Sequence, residues 1–317
     1  MTAMRRLANV GGLSLVNLMW ASQFPAYRVA VDHLSVSALS FYTFVVAILL
    51  LLPFLLWERR RRTDKRHTPT QRRSWRTIAV EYLLLGVLGL IPPSILMSWG
   101  IEHSSGSNAA ILTLTIPLLM VAVAVPLLGE RLTWTRIGVL ALALIGAVFI
   151  SKDDMHSSSF TSSTLIGNLV VFGACLGSAF YNIYSKRLLE HQSELEVLVY
   201  GYIVGAALCG LASWLLDARS LFDVEDVPAS TWIAVAVLGS LTWGYSMLLF
   251  MWLLRRLDIA LISVSIYMLS FFGVLLSAVM LGERVRLMQL LGGLVIFTAA
   301  LLSDSYERRV ARGVGLA

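Results

Sequence analysis

Of the 317 residues, 57% are hydrophobic and 14% are charged, with a mean hydropathy of +0.77. Soluble domains carry about 25% charged residues, so this composition excludes a pair of water-soluble domains and indicates a chain that crosses a membrane many times. The net charge of +6 is excluded as a nucleic-acid footprint by its location. Much of it falls in the loop ERRRRTDKRHTPTQRRSWR (58–76), between two apolar stretches, where basic residues act as an orientation signal and touch anionic head groups.

In chain order, ten apolar stretches are each long enough to cross a hydrocarbon core of roughly 30 Å as a helix. They run over 11–31, 36–57, 77–99, 106–128, 134–151, 165–185, 196–216, 231–253, 258–281 and 286–303. The first follows a basic start and lacks a small-residue cleavage site, so it is expected to stay as a span rather than be removed as a leader. None of the ten alternates in polarity as the strands of a membrane barrel do. Within 77–99 the run IPPSILMSW places Pro92 and Pro93 where neither donates a backbone hydrogen bond. A kink toward the outer half of that helix follows, and a broken helix beside a cavity suits a gate.

Ten spans put both termini on one side of the membrane. Of the 25 Lys and Arg residues, all but Arg28, Lys152, Arg219, Arg284 and Arg286 lie on that side. The bias places both termini in the cytoplasm of a bacterial-type inner membrane. Leu-Gly-Glu-Arg occurs at 128–131 and again at 281–284, each time after the fourth helix of a five-helix set. Five is odd, so the second copy faces the opposite surface. The expected fold is therefore all-α and integral to the membrane, with ten transmembrane helices arranged as two inverted five-helix repeats around a central cavity. The repeats are assigned to 1–151 and 165–303, with an external linker at 152–164 and a cytoplasmic tail at 304–317. Gly129 and Gly282 suit helix C-termini. Glu130, Arg131, Glu283 and Arg284 are read as capping and surface residues rather than substrate contacts.

Several stretches carry a resemblance. WASQFPAYRVAV (20–31) opens the first span; LTLTIPLLMVAVAVPLLGERLT (112–133) sets Pro117 ahead of Glu130; GYSMLLFMWLLRRLDIALISV (244–264) precedes LGERVRLMQLLGGLVI (281–296). In this order and at these intervals they resemble the drug/metabolite transporter superfamily, in its EamA-type ten-helix branch, over nearly the whole chain. The resemblance implies transport of small metabolites or amino acids, frequently outward. Three positions depart from it. Thr43 stands where relatives often have Arg, Ser270 stands in place of the second-half Pro, and Leu269 occupies a position where many relatives have Glu.

Catalysis finds no motif. His33, His67, His103, His156 and His191 fall in loops or at span ends, and there is no His-Glu-x-x-His, Gly-x-Ser-x-Gly or phosphate-binding loop. No Asp or Glu lies in the middle of a span, the nearest being Glu81, so the usual intramembrane proton or cation site is missing. The coupling is left between facilitated diffusion and exchange by another route. Cys175 and Cys209 are read as core residues, and no cofactor or metal is expected.

The remaining candidates are aromatic and polar side chains on helix faces. Trp20, Gln23, Phe24 and Tyr27 repeat at helical spacing. Gly177, Ser178, Tyr181, Asn182 and Ser185 form a hydrogen-bonding stripe in helix 6, Ser263, Tyr267 and Ser270 form one in helix 9, and helix 8 centres on Trp243. Trp20, Gln23, Tyr27, Tyr181, Asn182, Trp243, Ser263 and Tyr267 are the expected substrate-binding residues. For Gly177, Ser178 and Ser263 the competing reading is close helix packing. For Arg28 it is snorkelling rather than a substrate carboxylate. Trp57, Trp75, Trp99, Trp134, Trp214, Trp232 and Trp252 sit near span ends as interfacial anchors.

A small-molecule solute and the lipid bilayer are the expected partners, with no nucleic acid, for a monomer or homodimer. A neutral or zwitterionic solute such as an amino acid suits this lining. An organic cation held by aromatic faces is the alternative. A membrane scaffold or an intramembrane enzyme ranks behind both.

Overall fold

The structure is a computed structural model, and it describes residues 2–30, 32–64, 74–103, 112–129, 133–151, 162–216, 226–281 and 287–311. Glu130, Arg131, Gly282, Glu283 and Arg284 lie outside the described residues, as do 65–73 of the basic loop and 152–161 of the linker. Every regular element among the described residues is helical. Among the described residues, five helices are long and apolar enough to cross a membrane: Val36–Arg61, Trp75–Leu96, Leu165–Leu188, Glu194–Leu215 and Ala229–Arg256. Shorter apolar helices lie between and after them.

The elements follow the ten expected stretches, with internal breaks. The first is split into α1 (Thr2–Ala21) and α2 (Gln23–Ala30), where one helix from residue 11 was expected. Pro25 falls in the first turn of α2, where its missing N–H is not needed, so the chain restarts just before it. Ser22 closes the gap, its N–H and hydroxyl both donating to the Met19 carbonyl at 3.2 and 2.6 Å. Next comes α3 (Val36–Asp64), running seven residues past its expected end at 57.

The third stretch starts as α4 (Trp75–Leu84), widens into π turns over Leu85–Leu90 and Pro92–Leu96, and ends as α5 (Met97–Glu102). The Pro92–Pro93 pair thus widens the helix instead of cutting it. The carbonyls of Leu90 and Ile91 accept from the Ser94 hydroxyl at 2.7 and 3.1 Å.

The fourth stretch is described as α6 (Ile116–Leu128), with Pro117 in its first turn. Gly129 ends it in the left-handed conformation, φ 66°, its N–H returned to the Val125 carbonyl; glycine takes that conformation without a Cβ penalty. Then follow α7 (Trp134–Ser151), α8 (Ser162–Leu188) and α9 (Glu194–Leu216). The start of α9 carries a reciprocal cap. The Ser193 N–H donates to Glu196 at 3.0 Å, and the Glu196 N–H donates to the Ser193 hydroxyl at 3.2 Å.

The eighth stretch comprises α10 (Ala229–Val237), a π segment Leu238–Tyr245 and α11 (Ser246–Arg256). The ninth, expected as one helix, breaks at Tyr267 between α12 (Ile259–Ile266) and α13 (Met268–Leu281). No proline causes this break. The Tyr267 N–H turns back tightly to Val264, while the Ser265 hydroxyl takes the Ile262 carbonyl at 2.7 Å, a local bond that competes with the helix ladder. Finally α14 (Leu287–Ala311) extends well into the region expected as tail.

Helix packing has a paired pattern. α3 lies along α9, and α7 lies along α14. α8 packs on the π turns and α5 of the third stretch, as α1 and α2 pack on the eighth. Where α8 meets the third stretch, a Cβ on Gly177 would stand 2.5 Å from Pro92 and 2.9 Å from the Leu88 carbonyl, so only glycine permits this approach. Gly173, one turn earlier, has nothing within 4 Å. Gly177→Ala is expected to lower stability by about 1–3 kcal/mol as overpacking, while Gly173→Ala leaves it unchanged; thermal unfolding of both variants in detergent micelles checks the difference.

Candidate functional site

The site is best built from the helices that depart from α geometry, because a widened or broken turn leaves carbonyls for side chains to satisfy. Trp243 sits in the π segment of the eighth stretch, half-buried. Its carbonyl accepts from the Tyr202 hydroxyl of α9 at 2.7 Å. Its indole lies edge-on to Phe44 of α3, with centroids 5.2 Å apart, and edge-on to Tyr202 at 6.0 Å. Phe44 and Tyr202 stack at 5.3 Å.

The ladder extends both ways. The Tyr181 hydroxyl of α8 lies near that of Tyr202, and the Tyr27 hydroxyl of α2 lies near the Trp243 side chain. Four helical stretches are thus joined through aromatic rings that each keep a polar handle. Below this ladder Trp20 rests on Phe250 of α11, with centroids 4.8 Å apart. Ser22 reaches Thr242 at 3.4 Å.

Of the expected residues, then, Tyr27, Tyr181 and Trp243 come together, while Trp20 packs on Phe250 of α11. Gln23 opens α2, half-buried. Asn182 does not share the ladder. Tyr181 and Asn182 are consecutive and project about 100° apart on a helix. Asn182 instead donates to the Ser178 carbonyl at 2.9 Å and approaches the Met120 sulfur at 3.7 Å. Ser263 is fully buried, and its hydroxyl has no hydrogen-bond partner among the described residues. The side chains of Phe24, Arg28 and Ser270 lie outside the described ones.

Tyr267 is 1% exposed and already engaged, its hydroxyl donating to the Leu114 carbonyl at 3.0 Å. The two residues stand 153 apart. The same interval separates the two Leu-Gly-Glu-Arg copies, the ends of α6 and α13, and the starts of α7 and α14. Leu114 is in the turn just before α6, Tyr267 in the turn just before α13. The bond therefore joins matching breaks.

Phe44, Tyr202 and Phe250 were not foreseen. Tyr202 left a signal, a hydroxyl inside the apolar run of α9 that needs an acceptor. Phe44 and Phe250 left none, since a phenylalanine within a span reads as core.

Residues 10–152 and, separately, 165–303 match the EamA-like transporter family. A probable terminal-alkyne amino-acid exporter of Streptantibioticus cattleyicolor is 28% identical over 90% of this chain and 89% of its own. An uncharacterized transporter of Archaeoglobus fulgidus is 24% identical over 94% and 97%. A probable amino-acid metabolite efflux pump of Escherichia coli is 21% identical over 54% and 58%. A solved crystal structure superposes with a TM-score of 0.76 over 96% of this chain and 98% of its own, at 19% identity, a likeness of fold.

Tyr267→Phe removes the bond across the two breaks and leaves the Leu114 carbonyl buried without its donor. The expected loss is about 1–3 kcal/mol, read as a lower melting temperature; an unchanged value would show that this carbonyl finds another partner.

Proposed function

The chain belongs to the EamA-like transporter family, and on that premise we propose that it is a secondary transporter exporting small zwitterionic or neutral metabolites, most plainly amino acids. Alternating access would arise from two inverted five-helix repeats that rock against each other in the inner membrane, with both termini in the cytoplasm.

The observation that carries the reading is the aromatic ladder Tyr27–Trp243–Tyr202–Tyr181, which draws four helical stretches into one polar-aromatic wall. Such a wall offers hydroxyl and indole groups for orientation and apolar faces for contact, the usual make-up of a small-molecule site. Three further findings support the two-repeat division. The family matches twice, the helices pack in mirrored pairs, the π segments fall in the third and eighth stretches, and the turns at Leu114 and Tyr267 fall in the fourth and ninth. Two relatives are named for amino-acid export, which favours that solute class. The lack of an intramembrane carboxylate in the sequence supports a solute whose charge needs no fixed counter-ion.

An organic cation is the second reading, favoured by the same rings, since Trp and Tyr faces attract cations without a counter-charge.

Purified protein in proteoliposomes is expected to move radiolabelled amino acids from a panel faster than empty liposomes, and to support counterflow. Trp20→Ala and Trp243→Ala should each lower that flux about tenfold or more, the loss of roughly 1.4 kcal/mol or more of contact. Equal flux through empty liposomes overturns transport. Flux of quaternary ammonium compounds alone replaces the amino-acid reading with the cation reading.

A further inference from the structure

Asn17 lies four residues before the end of α1, between Val16 and Leu18 in sequence, and it is 1% exposed. Its amide nitrogen donates to the Leu13 carbonyl one turn back, at 2.8 Å. A carbonyl needs a donor, so this bond decides which end of the amide is which. The oxygen Oδ1 then points away, and it has no hydrogen-bond partner among the described residues. A buried acceptor left unmade costs about 1–3 kcal/mol, and in a membrane helix no bulk water offsets it. Most of the other polar side chains of the spans avoid this cost. Ser14, Ser178, Ser246 and Ser305, for example, each return their hydroxyl to a carbonyl of the preceding turn.

The surroundings of that oxygen are defined by its neighbours a turn away on the same face of α1. Ser14 reaches the Met268 sulfur of α13 at 3.5 Å, and Trp20 rests on Phe250 of α11. The break at Ser22 follows directly. An acceptor-only oxygen one turn from Trp20 along the same face of α1, in a span free of carboxylates, is chemistry that recognises a protonated amine. The oxygen takes one N–H while the ring faces the positive charge.

We propose that Asn17 Oδ1 is the acceptor for the ammonium group of the transported solute, and that it makes a free amino group a requirement for transport. This rests on the transporter reading above and narrows it. Asn17 is sealed in the present conformation, so the ammonium reaches it when α1 tilts at the Ser22 break, and the orphaned acceptor favours that movement.

The test uses the full chain in proteoliposomes, with the common L-amino acids and L-propargylglycine as probes, each beside its N-acetyl derivative. N-acetylation removes the positive charge and two of the three donors. Wild type is expected to move free amino acids at least tenfold faster than their N-acetyl forms. Asn17→Leu keeps the volume and removes the orphan. It is expected to melt at or above the wild-type temperature, yet lose at least tenfold in flux. Asn17→Asp is expected to keep the preference for the free amine.

Equal flux of free and N-acetyl probes through wild type overturns the proposal, as does wild-type flux through Asn17→Leu. A melting temperature of Asn17→Leu below that of wild type overturns the claim that the oxygen is unmet. No flux of any probe through wild type instead overturns the amino-acid transport reading itself. Should Asn17→Leu fail to fold, Asn17→Ser is judged by the same flux comparison.

Discussion

The hydroxyl of Tyr267 donating to the carbonyl of Leu114 is the interaction around which the fold is organised. A helix broken inside a bilayer exposes backbone groups that neither lipid nor water satisfies, so each break needs a supplied partner. Here the partner for one break comes from the other, at the interval that separates the repeated motifs. The same constraint explains why hydroxyls collect wherever the helices depart from α geometry. Ser22 meets Met19, Thr115 meets Leu112, Ser94 meets Leu90, and Tyr202 meets Trp243. Polar residues in these spans are distributed by the needs of the backbone first.

That distribution also builds the aromatic ladder. The widened turn at Leu238–Tyr245 presents the Trp243 carbonyl to Tyr202, and the tyrosine that satisfies it stacks on Phe44 and lies near Tyr181. An aromatic wall thus arises as a by-product of repairing an irregular helix. Its rings come from α2, α3, α8, α9 and the π segment, so any rocking of one set of helices against another changes the wall. Two ion pairs tie helix ends together, Arg255 to Glu194 at 2.9 Å and Arg59 to Glu196 at 3.4 Å, and Lys186 donates to the Leu257 carbonyl at 2.7 Å. Exposed ion pairs of this kind are worth about 0–1 kcal/mol each, small enough to open during a transport cycle.

Much of this was legible beforehand. Apolar run length placed the helices, and Pro25 and Pro117 mark where α2 and α6 begin. The repeated Leu-Gly-Glu-Arg set the interval at which the two breaks and the two following helices recur. The break at Tyr267 was not legible, because Ser270 replaces the proline that would have announced it and the cause is a local Ser265 bond. Nor was the composition of the ladder, since Phe44 reads as core and the Tyr202 hydroxyl signals a need for an acceptor without saying which. Helical spacing grouped Tyr181 with Asn182, but consecutive residues face different neighbours, and the structure gives Asn182 to Met120. Asn17 passed unnoticed because an amide that bonds its own helix looks satisfied until both of its ends are counted.

The central claim is that two five-helix halves of one chain are inserted in opposite senses. Trp134 and Leu287 begin corresponding helices and are 87% and 69% exposed, so a cysteine at either site is open to reagent. In a chain with Cys175 and Cys209 replaced, a membrane-impermeant maleimide added to intact cells should label Leu287→Cys directly and Trp134→Cys only after the membrane is permeabilised. Labelling of both from the same side would contradict the inversion.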